Sequence, residues 1–178
     1  MPRVTQAHLD ARRRQILDAA RARFATHGFA RTSMTDLVEA SGLSIGAIYR
    51  YFKSKDEIVA AICEQSTQAL PAELTAASVR EFVGHIRTLA HAEDHARLVA
   101  QIYAEAAVSP PLADLVHRQL DDLRAEVAAL LPGREPADAA RIAEAFVALC
   151  HGYTQQLAVR GDVDPAPFTS ALVAIIES

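Results

Sequence analysis

Between Ser44 and Phe52 the chain reads Ser-Ile-Gly-Ala-Ile-Tyr-Arg-Tyr-Phe, and these residue types suit contact with a polyanion better than catalysis. The hydroxyls of Ser44, Tyr49 and Tyr51 and the guanidinium of Arg50 supply donors for phosphate oxygens and base edges. Arg50 is the one residue here that can grip a guanine bidentately, and a phosphate clamp is an equal alternative for it. Ile45 and Ala47 offer apolar contact to thymine methyls. Gly46 costs about 1 kcal/mol relative to alanine inside a helix, so something must require it. Two reasons compete: close approach of the backbone to DNA, which we favour, and close packing against a neighbouring helix. So few strong base readers imply modest direct readout, supplemented by DNA shape and dimer symmetry.

These residues need elements to hold them. Ser41-Gly42-Leu43 reads as a turn between two short helices, the first capped by Ser33 with Asp36 three residues on, the second capped by Ser44. Ile48 and Phe52 lie four apart and should pin the second helix to Leu37, Ala40 and Phe24. A longer helix precedes them, from about Thr5 or His8 to His27, with Ile16, Leu17, Ala20 and Phe24 as a stripe and Gly28 as its stop. Residues 1–55 hold ten Lys or Arg and four Asp or Glu, a formal +6, while the remainder is −10. A basic head on an acidic body is a polyanion footprint confined to one end. Arg12, Arg13 and Arg14, with Arg3 before them, are further candidates for phosphate, although consecutive residues spread around a helix and at least one should face solvent.

The order Thr32-Ser33-Met34, Asp36-Leu37, Ala40-Ser41-Gly42-Leu43-Ser44, Gly46, Ile48-Tyr49, Tyr51-Phe52, Lys55, Glu57 resembles the DNA-binding domain of the tetracycline-repressor (TetR) family of bacterial transcription regulators. The resemblance covers about the first third of the chain. It implies that Thr35 faces the groove, that Ser33 lies near a phosphate, and that Ser44, Ile45, Gly46, Ala47 and Tyr49 line the recognition surface. It further implies phosphate contacts from Tyr51 and from Lys55 at the start of the fourth helix.

The body reads as helix throughout. A fourth helix is capped by Ser54, with Glu57 completing a capping box, and runs towards Leu70. Ser78 and Glu81 suggest another box, and His91 to His95 a joint. The next helix carries Leu98, Ile102 and Tyr103 to about Val108. Ser109-Pro110, Pro136 and Asp164-Pro165 open three more, the first closing at Pro132-Gly133 and the second at Gly161. The fold expected is all-α with about nine helices. A three-helix helix-turn-helix domain would occupy 1–54, and a helical effector-binding and dimerisation domain 55–178.

By resemblance, the last two helices, about 137–161 and 165–177, form a four-helix dimer interface. Phe146, Leu149, Tyr153, Leu172 and Ile176 are its candidates, since a helix apolar over a wide arc must be buried on two sides. The resemblance also implies a small-molecule pocket among the middle helices. Polar residues embedded in apolar patterns, His85, Tyr103, His117, His151 and Tyr153, are its candidates, each more commonly a core or surface residue than a ligand contact.

The expected partners are a palindromic operator in double-stranded DNA, a second copy of the chain, and an unidentified small-molecule effector. No cofactor is expected. His91 and His95 are four apart with Glu93 and Asp94 between, but a third ligand is missing and no metal is assigned. Cys63 and Cys150 read as buried small hydrophobes of a reducing compartment. The N-terminus lacks a signal-peptide pattern and no apolar run approaches the roughly 20 residues of a membrane span, so a bacterial cytoplasmic location is expected. No phosphate loop, nucleophile elbow or zinc motif supports an enzyme. The expected function is a ligand-responsive repressor. The alternatives are an activator, an effector-independent DNA-binding protein of the same fold, or a chain that keeps the fold for another task.

Overall fold

The computed structural model describes residues 6–65, 70–92 and 95–178. Arg3, the start at Thr5, the run-up to Leu70 and the pair Glu93 and Asp94 lie outside these residues in whole or part. Among the described residues there are nine helices and no strand: α1 (Gln6–His27), α2 (Met34–Ser41), α3 (Ile45–Tyr51), α4 (Lys55–Gln65), α5 (Ala76–His91), α6 (His95–Ala106), α7 (Pro110–Ala129), α8 (Pro136–Arg160) and α9 (Ala166–Glu177). Gly28, Gly42 and Gly161 follow α1, α2 and α8 with φ of 80°, 67° and 78°. That left-handed conformation costs little only without a Cβ, so these three positions fix where the helices stop.

Short helices need their ends satisfied, and α2 shows how. The Ser33 Oγ accepts from the Asp36 N–H at 3.1 Å, while the Asp36 carboxylate accepts the Ser33 N–H at 2.7 Å. Those bonds hold the Asp36 carboxyl below its ordinary range, with the nearby Arg23 guanidinium adding to the effect. Two expected caps are corrected. At α5 the capping box joins Thr75 to Ser78, not Ser78 to Glu81, so the helix begins earlier than the sequence pattern suggests. At α4, Ser54 does accept from the Glu57 N–H at 3.2 Å, but the Glu57 carboxylate takes the Lys53 N–H at 2.6 Å, one residue before the expected donor.

Two apolar cores are built. The first joins Phe24, Leu37, Ile48 and Phe52 of the head to Ile58 and Ile62 of α4, and also to Leu98 and Ile102 of α6 and Leu112 and Val116 of α7. Ala40, expected in it, is exposed. The second joins α5, α7, α8 and α9 through Phe82, Ile86, Val127, Phe146, Tyr153 and Leu172. The helix-turn-helix therefore does not hang from a linker. It shares its core with the body.

Candidate nucleic-acid interface and body cavity

α3 is the least covered apolar surface of the head. Ser44 caps it, accepting from the Ala47 N–H at 3.3 Å. Ile48 is fully buried and anchors the inner face. On the outer face Ile45 and Tyr49, four residues apart, are 57% and 39% exposed, an unusual presentation for large apolar side chains. Gly46 is exposed between them, and a Cβ built on it would meet nothing within 4 Å. Close packing against a neighbouring helix of this chain therefore does not explain the glycine.

Thr35, Ser33 and Ser44 are all exposed, Ala47 is half-buried, and Arg50 is exposed with no partner among the described residues. Tyr51 is half-buried and packs on the head core. Lys55 does not project freely. Its Nζ donates to the Phe29 carbonyl at 2.9 Å and lies 4.2 Å from the centre of the Phe29 ring, which ties the start of α4 to the turn after α1. The three consecutive arginines diverge as helical geometry requires: Arg12 donates to Gln15, Arg13 lies over Phe52 at 5.4 Å, and Arg14 is exposed. Gln15 in turn donates to the Ser41 carbonyl at 2.7 Å and fixes α1 against the turn that leads into α3.

The body holds a cavity of about 400 Å³ where its two cores meet. Leu98 and Ile102 of α6 and Val116 of α7 wall it on one side, and Phe82 of α5 with Phe146 and Val147 of α8 on the other. Of the five residues expected in a pocket, Tyr103 and His151 line it, sharing a hydrogen bond of 3.0 Å between Oη and Nε2. Burial pushes the Tyr103 hydroxyl up to about 12 and holds the His151 imidazole below its ordinary value, aided there by Arg124. Both are thus neutral near pH 7.

The other three are corrected. His85 and His117 lie on exposed faces of α5 and α7. Tyr153 is buried beyond the lining, where its hydroxyl donates to the Val163 carbonyl at 3.2 Å and its ring packs on Phe168. Sequence reasoning missed Gln119, Asp122 and Glu126, which also line the cavity. Their i, i+3, i+7 spacing, a polar line on a largely apolar helix, was the available signal. His95, weighed with His91 and not assigned a metal, is a lining residue as well. Its burial, then Arg21, lowers its pKa. His91 ends a different helix, where its Nδ1 donates to the Arg87 carbonyl, and no metal-binding cluster occurs among the described residues. Cys63 and Cys150 line the same cavity with no disulfide between them, and burial raises the Cys150 thiol to about 12.

Four of the five interface candidates face inward. Phe146, Tyr153, Leu172 and Ile176 belong to the second core, and Leu149 is half-buried beside it. The reason is that α8 contacts α5, α6, α7 and α9, so the monomer consumes most of its apolar arc.

Residues 16–62 match the family described as bacterial regulatory proteins, tetR family, and residues 71–178 match the C-terminal family of BetI-type transcriptional repressors. The chain belongs to the tetR family. Among curated relatives, the HTH-type transcriptional repressor Rv1474c of Mycobacterium tuberculosis is 39% identical over 94 residues, which cover 53% of this chain and 49% of that protein. The chain thus aligns with about half the length of that relative. Salmonella enterica GusR has the same fold, with a TM-score of 0.80 at 21% identity over 99% of this chain and 100% of that one. A SmeT–triclosan complex superposes with a TM-score of 0.72 at 22% identity, covering 93% and 90% of the two chains. TetR-family members are DNA-binding regulators rather than enzymes. No described helix is long and apolar enough to cross a membrane.

Proposed function

We propose that this chain is a ligand-responsive transcriptional repressor, released from a palindromic operator when a small molecule occupies the body cavity. One observation carries the reading: α6 both walls the cavity, through Leu98 and Ile102, and enters the core of the DNA-reading head through the same residues. A ligand that prefers one arrangement of α6 therefore biases the head, by as much as its differential affinity allows. The SmeT–triclosan complex, which has the same fold, is a precedent for a small molecule bound by such a protein.

In this reading Ile45, Gly46, Ala47 and Tyr49 of α3 enter the major groove, with Ser44 at the start of the helix and Thr35 beside it. Ser33, Arg50, Tyr51 and Lys55 grip the phosphates around them, Lys55 with the ammonium hydrogens not given to Phe29. Residues 1–54 form the reading unit and 55–178 the effector and assembly unit, although α4 packs within the head core. A single recognition helix covers few base pairs, so two copies are needed for a palindromic site. The inward orientation of Phe146 and Leu172 moves the proposed dimer surface to the outer faces of α8 and α9. There Ala148, Gly152, Val159 and Ala174 are exposed, and small side chains permit close helix approach.

The test is binding of the full chain to its own upstream DNA against scrambled DNA of equal length, across a salt series. Selective binding with a symmetric footprint is expected, and its log–log salt slope should steepen by about 0.9 per phosphate contact. Equal binding to both DNAs, with no site recovered by genome-wide selection, would remove the regulator reading.

A further inference from the structure

Helix α3 is seated at a single point. Of its seven residues Ile48 alone is buried, Ala47 and Tyr51 are half-buried, and Ile45, Gly46, Tyr49 and Arg50 are exposed. A helix this short is marginal by itself, and one buried side chain leaves it free to pivot and to turn about its axis. Its aim is therefore set where the chain enters and leaves it. Polar side chains of α1 hold both places. At the exit, Arg13 lies over the Phe52 ring at 5.4 Å. At the entry, the Gln15 Nε2 donates to the Ser41 carbonyl at 2.7 Å. Ser41 is 5% exposed, and its carbonyl lies in the last turn of α2, where the helix itself supplies no partner. The Ser41 hydroxyl donates to the Val38 carbonyl at 3.0 Å and accepts from the Leu43 N–H at 3.3 Å. Those bonds stay within the turn, whereas the Gln15 bond ties the turn to α1. A glutamine amide carries both donors and an acceptor, so two orientations compete. Arg12, three residues earlier on α1, decides between them: its Nη1 donates to the Gln15 Oε1 at 2.8 Å. A guanidinium can only donate and a carbonyl can only accept, so the amide must face Ser41 with its nitrogen.

We propose that Gln15 is a positioning residue for operator recognition. Through Ser41 it sets the angle at which α3 presents Ile45 and Tyr49, and Arg12 acts by orienting the Gln15 amide rather than by holding a phosphate. The inference rests on the reading of α3 as the helix that enters the groove. Contacts to base edges carry the sequence information and need a fixed register, while contacts to phosphate do not discriminate between sequences. Loss of the tie therefore costs selectivity and leaves the phosphate grip in place.

The experiment compares the full chain with its Gln15→Met and Arg12→Met variants. Methionine matches glutamine in length and nearly in helix propensity but has no hydrogen to donate, and Gln15→Met leaves the net charge unchanged. Amide hydrogen exchange is measured first, on the free protein. In Gln15→Met, exchange at the Ala47, Ile48 and Phe52 N–H groups, whose bonds close α3, should accelerate about tenfold more than at Phe146 and Val147 in the second core, because a local opening has become easier. Binding to operator and to scrambled DNA is measured next, across a salt series. The selectivity of Gln15→Met should fall about tenfold, the worth of roughly one base contact, at an unchanged log–log salt slope. Arg12→Met should change exchange and selectivity in the same direction, whereas a lost phosphate contact would lower the slope by about 0.9. Wild-type selectivity in Gln15→Met, or an exchange increase shared equally by α3 and the second core, would overturn the proposal, the latter by showing that Gln15 supports the fold in general. A lower salt slope with wild-type exchange in Arg12→Met would overturn the orienting role and return Arg12 to a phosphate. If the wild-type chain selects no operator, the regulator reading fails, and the exchange comparison alone still decides whether Gln15 holds α3.

Discussion

Gly46 places two requirements in opposition. Within the chain it lowers helix stability and fills no tight contact, since a Cβ there meets open space. Gly46→Ala should therefore raise the stability of the isolated protein by up to about 1 kcal/mol, while weakening operator binding. Denaturant titration and a binding isotherm measure the two effects, and unchanged DNA affinity would remove the groove-approach role. Tyr49→Ala should cut operator affinity by about 1–3 kcal/mol with an unaltered melting temperature, since the ring is partly exposed. Lys55→Ala should differ: it loses the tie to Phe29, so both melting temperature and affinity should fall. At this scale the sequence was a good guide wherever the local chain decides the outcome, as with the Ser33 and Ser44 caps. It was a poor guide where a side chain's partner lies far along the chain. Lys55 meets Phe29, and Tyr103 meets His151 forty-eight residues away, contacts that no local spacing encodes.

Helices α2 and α6 carry the next two expectations. Ser33→Ala removes the N-cap of α2 and should cost about 1 kcal/mol of stability. Because Asp36 is held below its ordinary range by Ser33, its contribution is present above the unfolded carboxylate pKa and lost as pH falls through the folded value. The variant should therefore show a shallower acid-induced fall in melting temperature. His95 at the start of α6 and His151 on α8 are likewise depressed, chiefly by burial. Below about pH 6.5 the unfolded chain takes up these protons first, so stability should decline as pH drops from there towards the folded values. A melting curve series for wild type and His95→Asn checks this, the variant having the smaller slope. Helix identity was readable from the apolar periods, because packing and propensity agree in a chain that is helical almost throughout. The start of α5 was misjudged because Ser78 resembles a first cap, whereas Thr75 caps the helix and Ser78 takes the reciprocal position three residues on. The inward aim of Phe146 and Leu172 was invisible because an apolar arc does not say which half faces the monomer.

For the molecule as a whole, assembly through the outer faces of α8 and α9 is the proposal most easily broken by one charge. Ala148→Glu should yield a monomer with unchanged helical content by sedimentation and circular dichroism, and operator affinity should fall with the loss of paired half-sites. A dimer of wild-type strength would move the interface elsewhere. The charge step behind the proposed division of labour at residues 54 and 55 was legible, since the basic residues cluster before it. The packing across that division was not, because it depends on α6 and α7 reaching back to the head. The shared core has a further consequence for recombination between related regulators. Gly28 lies against Gln101, 3.2 Å from where a Cβ would be, and Phe24 and Ile48 share a core with Leu98 and Leu112. A reading head spliced from a relative at residue 54 would arrive without its complementary floor. Functional chimaeras should require the α6 and α7 positions 98, 101, 102, 112 and 116 to travel with the head, so that new operator specificity is inherited as a discontinuous block rather than as an N-terminal cassette.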